Sequence, residues 1–171
     1  MLKAKYSHGE ILIPLTGRTE NLHRRGYGNI ENGVLKLKSY EGLFLLEKNI
    51  IKIFDENGEE LEFKKLLGLL EEFEEQVWVK YLIYRDLRSR GYVLREGFGV
   101  GLDFRVYDRG EYGQKPAKYI VFGILEGIPI KIRKLMRILE VVQNAKKQLI
   151  LAVVDRKGEV VYYSLSKLSF G

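Results

Sequence analysis

The sequence contains no cysteine among its 171 residues. Without thiols, the chain has no disulfide framework, no thiolate nucleophile and no cysteine-ligated metal site. Histidine is almost as scarce, because His8 and His23 are the only two, and a histidine-rich metal site is therefore not expected either. We expect a protein that holds no metal and no cofactor.

Long apolar stretches are also missing. The longest unbroken run is Leu149–Val154, far short of the roughly 18 residues that span a bilayer. The residues Met1–His8 carry no apolar stretch after their lysines, so we expect no signal peptide. Hydrophobic residues make up 46% of the sequence, which is too many for a disordered chain. These features predict a soluble, cytoplasmic protein without a membrane partner.

Positive charge is concentrated in the second half of the chain. Residues 1–75 hold 11 Lys and Arg against 14 Asp and Glu, a net charge of −3, whereas residues 76–171 hold 18 against 9, a net charge of +9. A basic half beside an acidic half suggests a polyanionic partner such as nucleic acid for the basic half. The alternative is a lysine-rich surface that only meets solvent.

The first half of the chain is patterned as a small α/β unit. Apolar or alternating runs predict short strands, and apolar residues at helical spacing predict helices. The predicted elements are strands at Glu10–Pro14, Val34–Lys38 and Ile50–Phe54, a helix at Tyr40–Lys48, and a helix whose apolar stripe is Phe63, Leu66, Leu67, Leu70 and Phe73. The acidic run Glu71–Glu75 predicts a boundary between domains at residues 1–75 and 76–171.

The second half is patterned as a mixed sheet between helices. In chain order the predicted elements are a helix through Trp78–Arg85 that stops at Gly91, strands at Tyr92–Arg95, Asp103–Tyr107 and Tyr119–Ile124, a helix through Ile132–Val142, and strands at Leu149–Val154 and Val160–Ser164. Helix, three strands, helix and two strands together predict a mixed sheet. The expected fold class is therefore α/β (α+β) in two small domains.

Three local features are assigned structural or surface roles. The glycine-rich segment Gly97–Gly101 is interpreted as a flexible connector, because a phosphate-binding loop would need a helix directly after it and a strand follows. Asp86 lies among arginines and is interpreted as part of a helix-surface charge pair. His23 is interpreted as an ordinary surface histidine.

Three blocks of the second half carry a specific resemblance. Residues 81–92 read YLIYRDLRSRGY, residues 101–110 read GLDFRVYDRG, and residues 145–155 read AKKQLILAVVD. In order and spacing these blocks resemble the archaeal tRNA-splicing endonucleases. The first half is similar as well, at residues 25–29, RGYGN, and at residues 37–46, LKSYEGLFLL. The resemblance implies a C-terminal nuclease-like domain preceded by a small N-terminal α/β domain.

The resemblance also implies a reaction. The family cleaves precursor tRNA at bulge–helix–bulge exon–intron junctions without metal, and leaves a 2′,3′-cyclic phosphate and a 5′-hydroxyl. In this family a tyrosine acts as the general base on the 2′-hydroxyl, a histidine protonates the leaving 5′-oxygen, and a lysine stabilises the charged transition state.

The catalytic positions carry over only in part. By the resemblance, the tyrosine falls on Tyr107 and the lysine falls on Lys146. The histidine belongs between the tyrosine and the next strand, where this sequence has Lys115, Pro116 and Ala117 instead, and residues 76–171 contain no histidine. A lysine near its ordinary pKa of ~10.4 is a poor general acid.

The missing histidine favours a structural role. Some archaea build this enzyme from a catalytic and a structural chain, so we expect precursor tRNA and a catalytic subunit as partners, in an α2β2 heterotetramer. One alternative is a cleaving subunit that uses Tyr107 and Lys146 with another acid, Tyr112 or Lys115, or with a residue of the partner. The other alternative is a non-catalytic RNA-binding protein with the same fold.

The second half contains candidate RNA-binding residues. The basic face of the helix, with Lys131, Lys134 and Arg137, is expected to contact RNA backbone or else only solvent. The arginine with which the family clamps a bulged base is replaced by Leu139.

Two surfaces are expected to join subunits. Family dimers pair through the C-terminal strand Val160–Leu165, so Val160, Tyr162 and Ser164 are predicted interface residues. In family tetramers, a loop with acidic residues docks on the partner subunit. In this chain the corresponding loop contains one acidic residue, Glu126.

Overall fold

Period-two burial organises the strands of the N-terminal half. The computed structural model describes residues 1–171 and contains two compact units, Met1–Arg85 and Asp86–Gly171. The strands of the first unit are β1 (Leu2–Ser7), β2 (Glu10–Pro14), β3 (Asn29–Glu31), β4 (Val34–Leu37), β5 (Ile51–Phe54) and β6 (Glu60–Leu61). They form one sheet in the order β3-β4-β2-β1-β5-β6, in which only β1 and β5 run parallel. Ile11 and Ile13 of β2 are fully buried, because alternate side chains share one face of a sheet.

The helices of the first unit pack on this sheet and on one another. They are α1 (Gly17–Arg24), α2 (Ser39–Glu47), α3 (Phe63–Glu71) and the first part of α4 (Val77–Ser89). Leu66 and Leu70 of α3 are buried as predicted, but α3 ends at Glu71. Phe73 therefore does not continue the apolar stripe: it is 57% exposed and lies against Gly9.

Glu41 joins the two N-terminal motifs of the first unit. Its carboxylate is buried and accepts the amide hydrogens of Gly28, at 3.1 Å, and of Lys38, at 2.8 Å. Gly28 adopts a positive φ of 66°, and a Cβ there would lie 2.8 Å from the backbone oxygen of Lys36. The RGYGN segment and the start of α2 are thus held together by one buried carboxylate, which caps the helix.

The second unit has the element order that the sequence predicts. Its elements after α4 are β7 (Val93–Glu96), β8 (Asp103–Tyr107), β9 (Tyr119–Leu125), α5 (Ile132–Asn144), β10 (Gln148–Val154) and β11 (Val160–Leu165). The sheet order is β11-β10-β9-β8-β7, with β9 and β10 parallel and all other neighbours antiparallel. The mixed α/β class with two sheets flanked by helices is confirmed.

Helix α5 covers one face of this second sheet. Ile138 and Val142 of α5 pack on Ile120, Phe122 and Leu149 of the sheet. None of the five helices is both long and apolar enough to cross a lipid bilayer.

The two compact units meet inside α4, between Arg85 and Asp86. The first turns of α4 bury Val77, Tyr81 and Tyr84, and the ring of Tyr84 lies 5.6 Å from that of Phe44 in α2. The domain boundary at residues 75 and 76 remains a prediction from composition.

Asp86 does more than form a surface charge pair. It pairs with Arg90 at 3.2 Å, as the sequence predicts, and it also accepts a hydrogen bond of 2.6 Å from the hydroxyl of Tyr162 in β11. Burial, and then the hydrogen bond to Asp86, raise the pKa of Tyr162 well above its usual value near 10. The end of α4 is thus tied to the last strand by a hydrogen bond that needs a neutral tyrosine.

We expect Tyr162→Phe to lower the free energy of unfolding by about 1–2 kcal/mol near neutral pH. Because the pKa of Tyr162 is raised in the folded state, its contribution is complete below pH 10 and is lost as the pH rises above that value. Urea unfolding at several pH values should therefore show a smaller loss above pH 10 in Tyr162→Phe than in the wild type. Tyr163→Phe, which removes an exposed hydroxyl of the same strand, is the matched control. If the free energy of unfolding fell equally above pH 10 in Tyr162→Phe and in the wild type, the hydrogen bond from Tyr162 would not be the source of the pH dependence.

Candidate active site

Tyr107 ends strand β8 on the face of the sheet that α5 covers at β9 and β10, and it is half-buried there. The strand alternates as predicted, with Phe104 and Val106 buried and Tyr107 half-buried. The ring of Tyr107 meets the ring of Tyr112 edge to face, with centroids 4.9 Å apart. No protein group forms a hydrogen bond with the hydroxyl of Tyr107, which leaves it available to a bound molecule.

Backbone hydrogen bonds bring the start of β9 and the start of β10 to the same end of the sheet. The amide of Lys118 donates to the oxygen of Val106 at 3.0 Å, and the amide of Gln148 donates to the oxygen of Lys118 at 3.1 Å. Tyr107 and the lysines before β10 are therefore two strands apart, or about 10 Å between backbones. The tyrosine and lysine that lie far apart in the sequence become neighbours.

Lys146 and Lys147 have different positions at this end. Lys146 has a φ of 57° and ends helix α5, where a left-handed residue lets the chain turn. Lys147 is partly buried, and its ammonium donates to the backbone oxygen of Ala117 at 2.6 Å. The alternation of β10, counted back from Leu149, also puts Lys147 on the face of Tyr107. The sequence prediction named Lys146, which stays a prediction, and the structure adds Lys147 as a second lysine at this end of the sheet.

The segment expected to carry the histidine holds no good acid. Lys115 is exposed and pairs with Glu111 at 3.4 Å. Pro116 is exposed and has no proton to give, and Ala117 is buried. The hydrogen bond to Tyr119 is the main cause that raises the pKa of Lys118, which makes this lysine a still weaker acid.

The glycine-rich segment before β8 is anchored by a carboxylate. The amide of Phe98 donates to Asp103 at 2.6 Å, and a Cβ on Gly97 would lie 2.2 Å from the same carboxylate oxygen. Burial raises the pKa of Asp103, whereas hydrogen bonds from the amides of Phe98, Gly99 and Gly101 lower it. Backbone hydrogen bonds to the side chain of Asp103 in β8 thus hold this segment in place. It is not only the flexible connector that the sequence predicted.

Helix α5 carries exposed cations beside the sheet. Lys131, Lys134 and Arg137 are exposed and form no ion pair, and the ammonium of Lys134 lies 5.9 Å from the ring centroid of Phe122 in β9. Leu139 packs against the core between α5 and the sheet. The cationic face is therefore present as the sequence suggests, without an arginine at residue 139.

The predicted interface residues lie at the other edge of the sheet. Strand β11 is an edge strand, in which Val160 and Tyr162 are half-buried and Ser164 is exposed. Its large exposed side chains are instead Val161, at 49%, and Tyr163, at 55%.

Glu126 is exposed and follows β9, and its amide donates to the oxygen of Val154 at 2.9 Å. His23, in the first unit, makes a 3.1 Å contact with the backbone oxygen of Gly28 and lies far along the chain from Tyr107.

The Tyr107 end of the sheet thus offers a tyrosine hydroxyl and a lysine ammonium, but no histidine. A hydroxyl and a fixed cation suit a reaction in which a proton is removed and negative charge develops. No three side chains of histidine, aspartate or glutamate come together as a metal site requires.

Comparison with known proteins finds similarity over both units. A family model of the tRNA intron endonuclease catalytic C-terminal domain matches residues 77–162, and a model of the tRNA intron endonuclease N-terminal domain matches residues 3–67. A tRNA-splicing endonuclease of Methanococcus maripaludis is 35% identical over 167 residues, which are 98% of this chain and 94% of that protein.

Relatives from other archaea show the same extent of similarity. A tRNA-splicing endonuclease of Thermococcus onnurineus is 33% identical over 86% of this chain and 85% of its own length. One from Saccharolobus islandicus is 31% identical over 98% of both chains. With both domains matched and nearly the whole chain aligned, this protein belongs to the tRNA intron endonuclease family.

Proposed function

We propose that this chain is the structural subunit of a tRNA-splicing endonuclease, which binds precursor tRNA and holds catalytic subunits at the two exon–intron junctions. Membership of the tRNA intron endonuclease family and the full-length similarity to proteins named tRNA-splicing endonuclease support the RNA-processing role. The single observation that supports a structural role is the absence of a histidine between Tyr107 and β9.

The proposed reaction explains why that absence matters. At a bulge–helix–bulge junction the 2′-hydroxyl loses its proton to a base, and its oxygen attacks the neighbouring phosphorus. The bond from phosphorus to the 5′-oxygen breaks, so the products are a 2′,3′-cyclic phosphate and a 5′-hydroxyl. The departing 5′-oxygen needs a proton, and loss of the general acid typically slows such a step by about 10²–10⁴-fold.

The side chains near Tyr107 do not replace the acid. Lys115 is held in an ion pair with Glu111, and the raised pKa of Lys118 opposes proton donation. Tyr107 and Lys147 supply the base and the cation positions of the site, and without the acid they do not complete it. The chemistry is proposed to need no metal and to be completed by a catalytic partner in an α2β2 heterotetramer.

Edge pairing is the proposed mode of assembly. Strand β11 leaves one edge of the sheet unpaired, and a second strand can add to such an edge through backbone hydrogen bonds. The exposed Val161 and Tyr163 would add apolar area to that interface. The loop at Glu126 is the proposed second contact.

The purified chain alone is expected to leave an intron-bearing precursor tRNA uncut in EDTA. Addition of a sibling subunit that carries the tyrosine, histidine and lysine is expected to give cleavage at both junctions. The products can be checked for a 2′,3′-cyclic phosphate by gel mobility before and after acid opening. As a control, Tyr107→Phe in this chain should leave the activity of the mixture unchanged. Cleavage by this chain alone that is abolished by Tyr107→Phe would overturn the structural role.

A second candidate is a cleaving subunit with a tyrosine acid. The edge-to-face contact of Tyr112 with Tyr107, at 4.9 Å, supports it, because it brings a second hydroxyl to the same place. Under this alternative, the chain alone cuts RNA and Tyr112→Phe slows the cut, whereas the structural role predicts no cut to be slowed.

A further inference from the structure

Two arginines lie directly opposite each other on neighbouring strands beside Tyr107. In the antiparallel pairing of β7 with β8, Arg95 is the partner of Arg105, and the next pair on the same face is Val93 with Tyr107. Like charges at directly opposed positions destabilise a sheet. An anion bound beside Arg105 would offset this repulsion, which makes the position a candidate phosphate site.

Both arginines share the half-exposed face of the hairpin. Leu94, Phe104 and Val106 are buried on the opposite face, whereas Arg95 and Arg105 are half-buried. Along β8, Arg105 and Tyr107 are two residues apart, or about 7 Å. This distance is comparable with the separation of neighbouring phosphates along an RNA strand.

The charge of Arg105 is not neutralised by the protein. Its Nε donates to the backbone oxygen of Glu96 at 2.7 Å, which orients the guanidinium, and Arg105 forms no ion pair. Asp103, the acid nearest along the strand, accepts the amide of Phe98 at 2.6 Å. The carboxylate on this strand is therefore already engaged with the backbone.

Helix α5 adds cations on the same side of the sheet. Phe122 of β9 is opposite Asp103 in β8, and the ammonium of Lys134 lies above its ring. The second unit as a whole carries 16 Lys and Arg against 9 Asp and Glu, a net charge of +7. This surplus attracts a polyanion, and a planar guanidinium binds phosphate oxygens in a bidentate manner.

We propose that Arg105, with Arg95 opposite it, binds one backbone phosphate of the precursor tRNA next to the nucleotide that lies at Tyr107. This inference rests on the proposed function, since it names the contact by which the chain holds its RNA. The arginine pair contributes affinity and register along the strand and takes no part in proton transfer.

The test is RNA binding by the full chain as a function of salt. The probe is an intron-bearing precursor tRNA with 2′-deoxynucleotides at the junctions, so that it cannot be cut. Dissociation constants are measured for the wild type and for Arg105→Gln, Arg105→Lys and Arg156→Gln between about 50 and 200 mM salt. Arg156 is the matched control, because it lies in the exposed turn between β10 and β11, at the other end of the sheet from Tyr107.

Arg105→Gln is expected to bind the RNA about 10-fold more weakly at low salt, as the loss of one charge-assisted contact predicts. The slope of log affinity against log salt should fall by about 1, because one phosphate contact is lost. Arg105→Lys should keep the slope while it loses affinity, since lysine keeps the charge but not the bidentate geometry. Arg156→Gln should behave as the wild type, and thermal unfolding should show all three variants folded.

Four results would overturn the inference. Equal affinity and slope for Arg105→Gln and the wild type would remove Arg105 from the RNA contact and leave the proposed function intact. An equal loss in Arg156→Gln would mean that only net charge matters. Unchanged RNA binding together with a shift in oligomeric mass would assign the arginine pair to an acidic surface of a protein partner. If the wild type itself does not bind the precursor, the proposed function fails first, and the inference fails with it.

Discussion

Pro116→His is expected to give this chain a cleavage activity of its own, about 10²–10⁴-fold above that of the wild type. Pro116 is exposed in the segment where the family has its histidine, so a larger side chain fits there without disturbing the core. Tyr107 and Lys147 already lie at the same end of the sheet, one on β8 and the other just before β10. In the proposed reaction, a histidine at this position would add the missing proton donor.

The pH dependence identifies the new acid. An imidazole with its usual pKa near 6.5 donates a proton only while it is charged, whereas a tyrosine base works only when it is deprotonated, and tyrosines ordinarily have a pKa near 10. Above about pH 6.5 the loss of charged imidazole offsets the gain of deprotonated tyrosine, so the rate should rise with pH up to about 6.5 and then level off. Rates are measured on an intron-bearing precursor tRNA in EDTA, with the purified variant alone.

Pro116→Gln is the matched control, because it removes the same ring and adds a polar side chain that cannot act as an acid. In the Pro116→His background, Lys147→Ala should abolish the gain, whereas Lys146→Ala should reduce it less, since Lys146 ends a helix and Lys147 contacts Ala117. No gain in Pro116→His, with RNA binding intact, would mean that more than the acid has been lost from this site.

Glu41→Ala is expected to be the most destabilising single polar substitution, with a loss of about 2–4 kcal/mol in the free energy of unfolding. The buried carboxylate of Glu41 accepts hydrogen bonds from the amides of Gly28 and Lys38, and no side-chain acceptor remains in alanine. Since the hydrogen bonds hold the RGYGN segment against the start of α2, both motifs should loosen together. The loss is measured by urea unfolding of the full chain.

Two variants test whether the buried hydrogen bonds of Glu41 are the source of this stability. Glu41→Gln keeps one acceptor oxygen in the same place, and we expect it to lose less than half as much stability. Glu20→Ala removes an exposed glutamate of α1, whose ion pair with Arg24 spans 3.9 Å, and should cost less than about 1 kcal/mol. Equal losses in Glu41→Ala and Glu20→Ala would show that the buried hydrogen bonds contribute little.

The strands that bear the site were predictable because burial of one face forces a period of two. Asp103–Tyr107 alternates in the sequence, and the strand has the same bounds and the same alternation in the structure. Apolar periodicity predicted helix α5 in the same way, but the buried face was only partly predicted, because Ile132 and Met136 of the expected stripe are exposed whereas Ile138 and Val142 are buried. The short strand β1, the helix α1 and the strand β3 were not predicted, since they are short or polar and depend on their neighbours.

The choice between adjacent residues was not predictable from motifs alone. The block AKKQLILAVVD contains two lysines in a row, and a match to a family pattern does not say which of them faces the tyrosine. The position at which α5 ends determines which lysine joins the strand. Lys146 has a left-handed φ of 57° and terminates the helix. Lys147 is then the first residue that can follow the alternation of β10.

Sequence patterns also did not predict the contacts between residues that are far apart along the chain. Asp86 looked like a partner of neighbouring arginines on a helix, and the sequence offered no sign that Tyr162 would donate to it. Arg95 and Arg105 are separated by a glycine-rich segment whose length does not reveal the register of the hairpin. Glu41 and Gly28 lie in two motifs that are recognisable separately and are joined only in the folded unit.

The sequence by itself determined the family, the mixed α/β class, the element order of the second unit and the absence of a histidine from it. These features follow from residue identity and from local periodicity, which the chain carries whether or not it is folded. The tertiary structure decided which lysine lies on the same face of the sheet as Tyr107, which carboxylates accept hydrogen bonds, and that two arginines stand opposite each other beside Tyr107. Those facts depend on strand register and helix termination, which arise from burial and hydrogen bonding between segments that are remote along the chain.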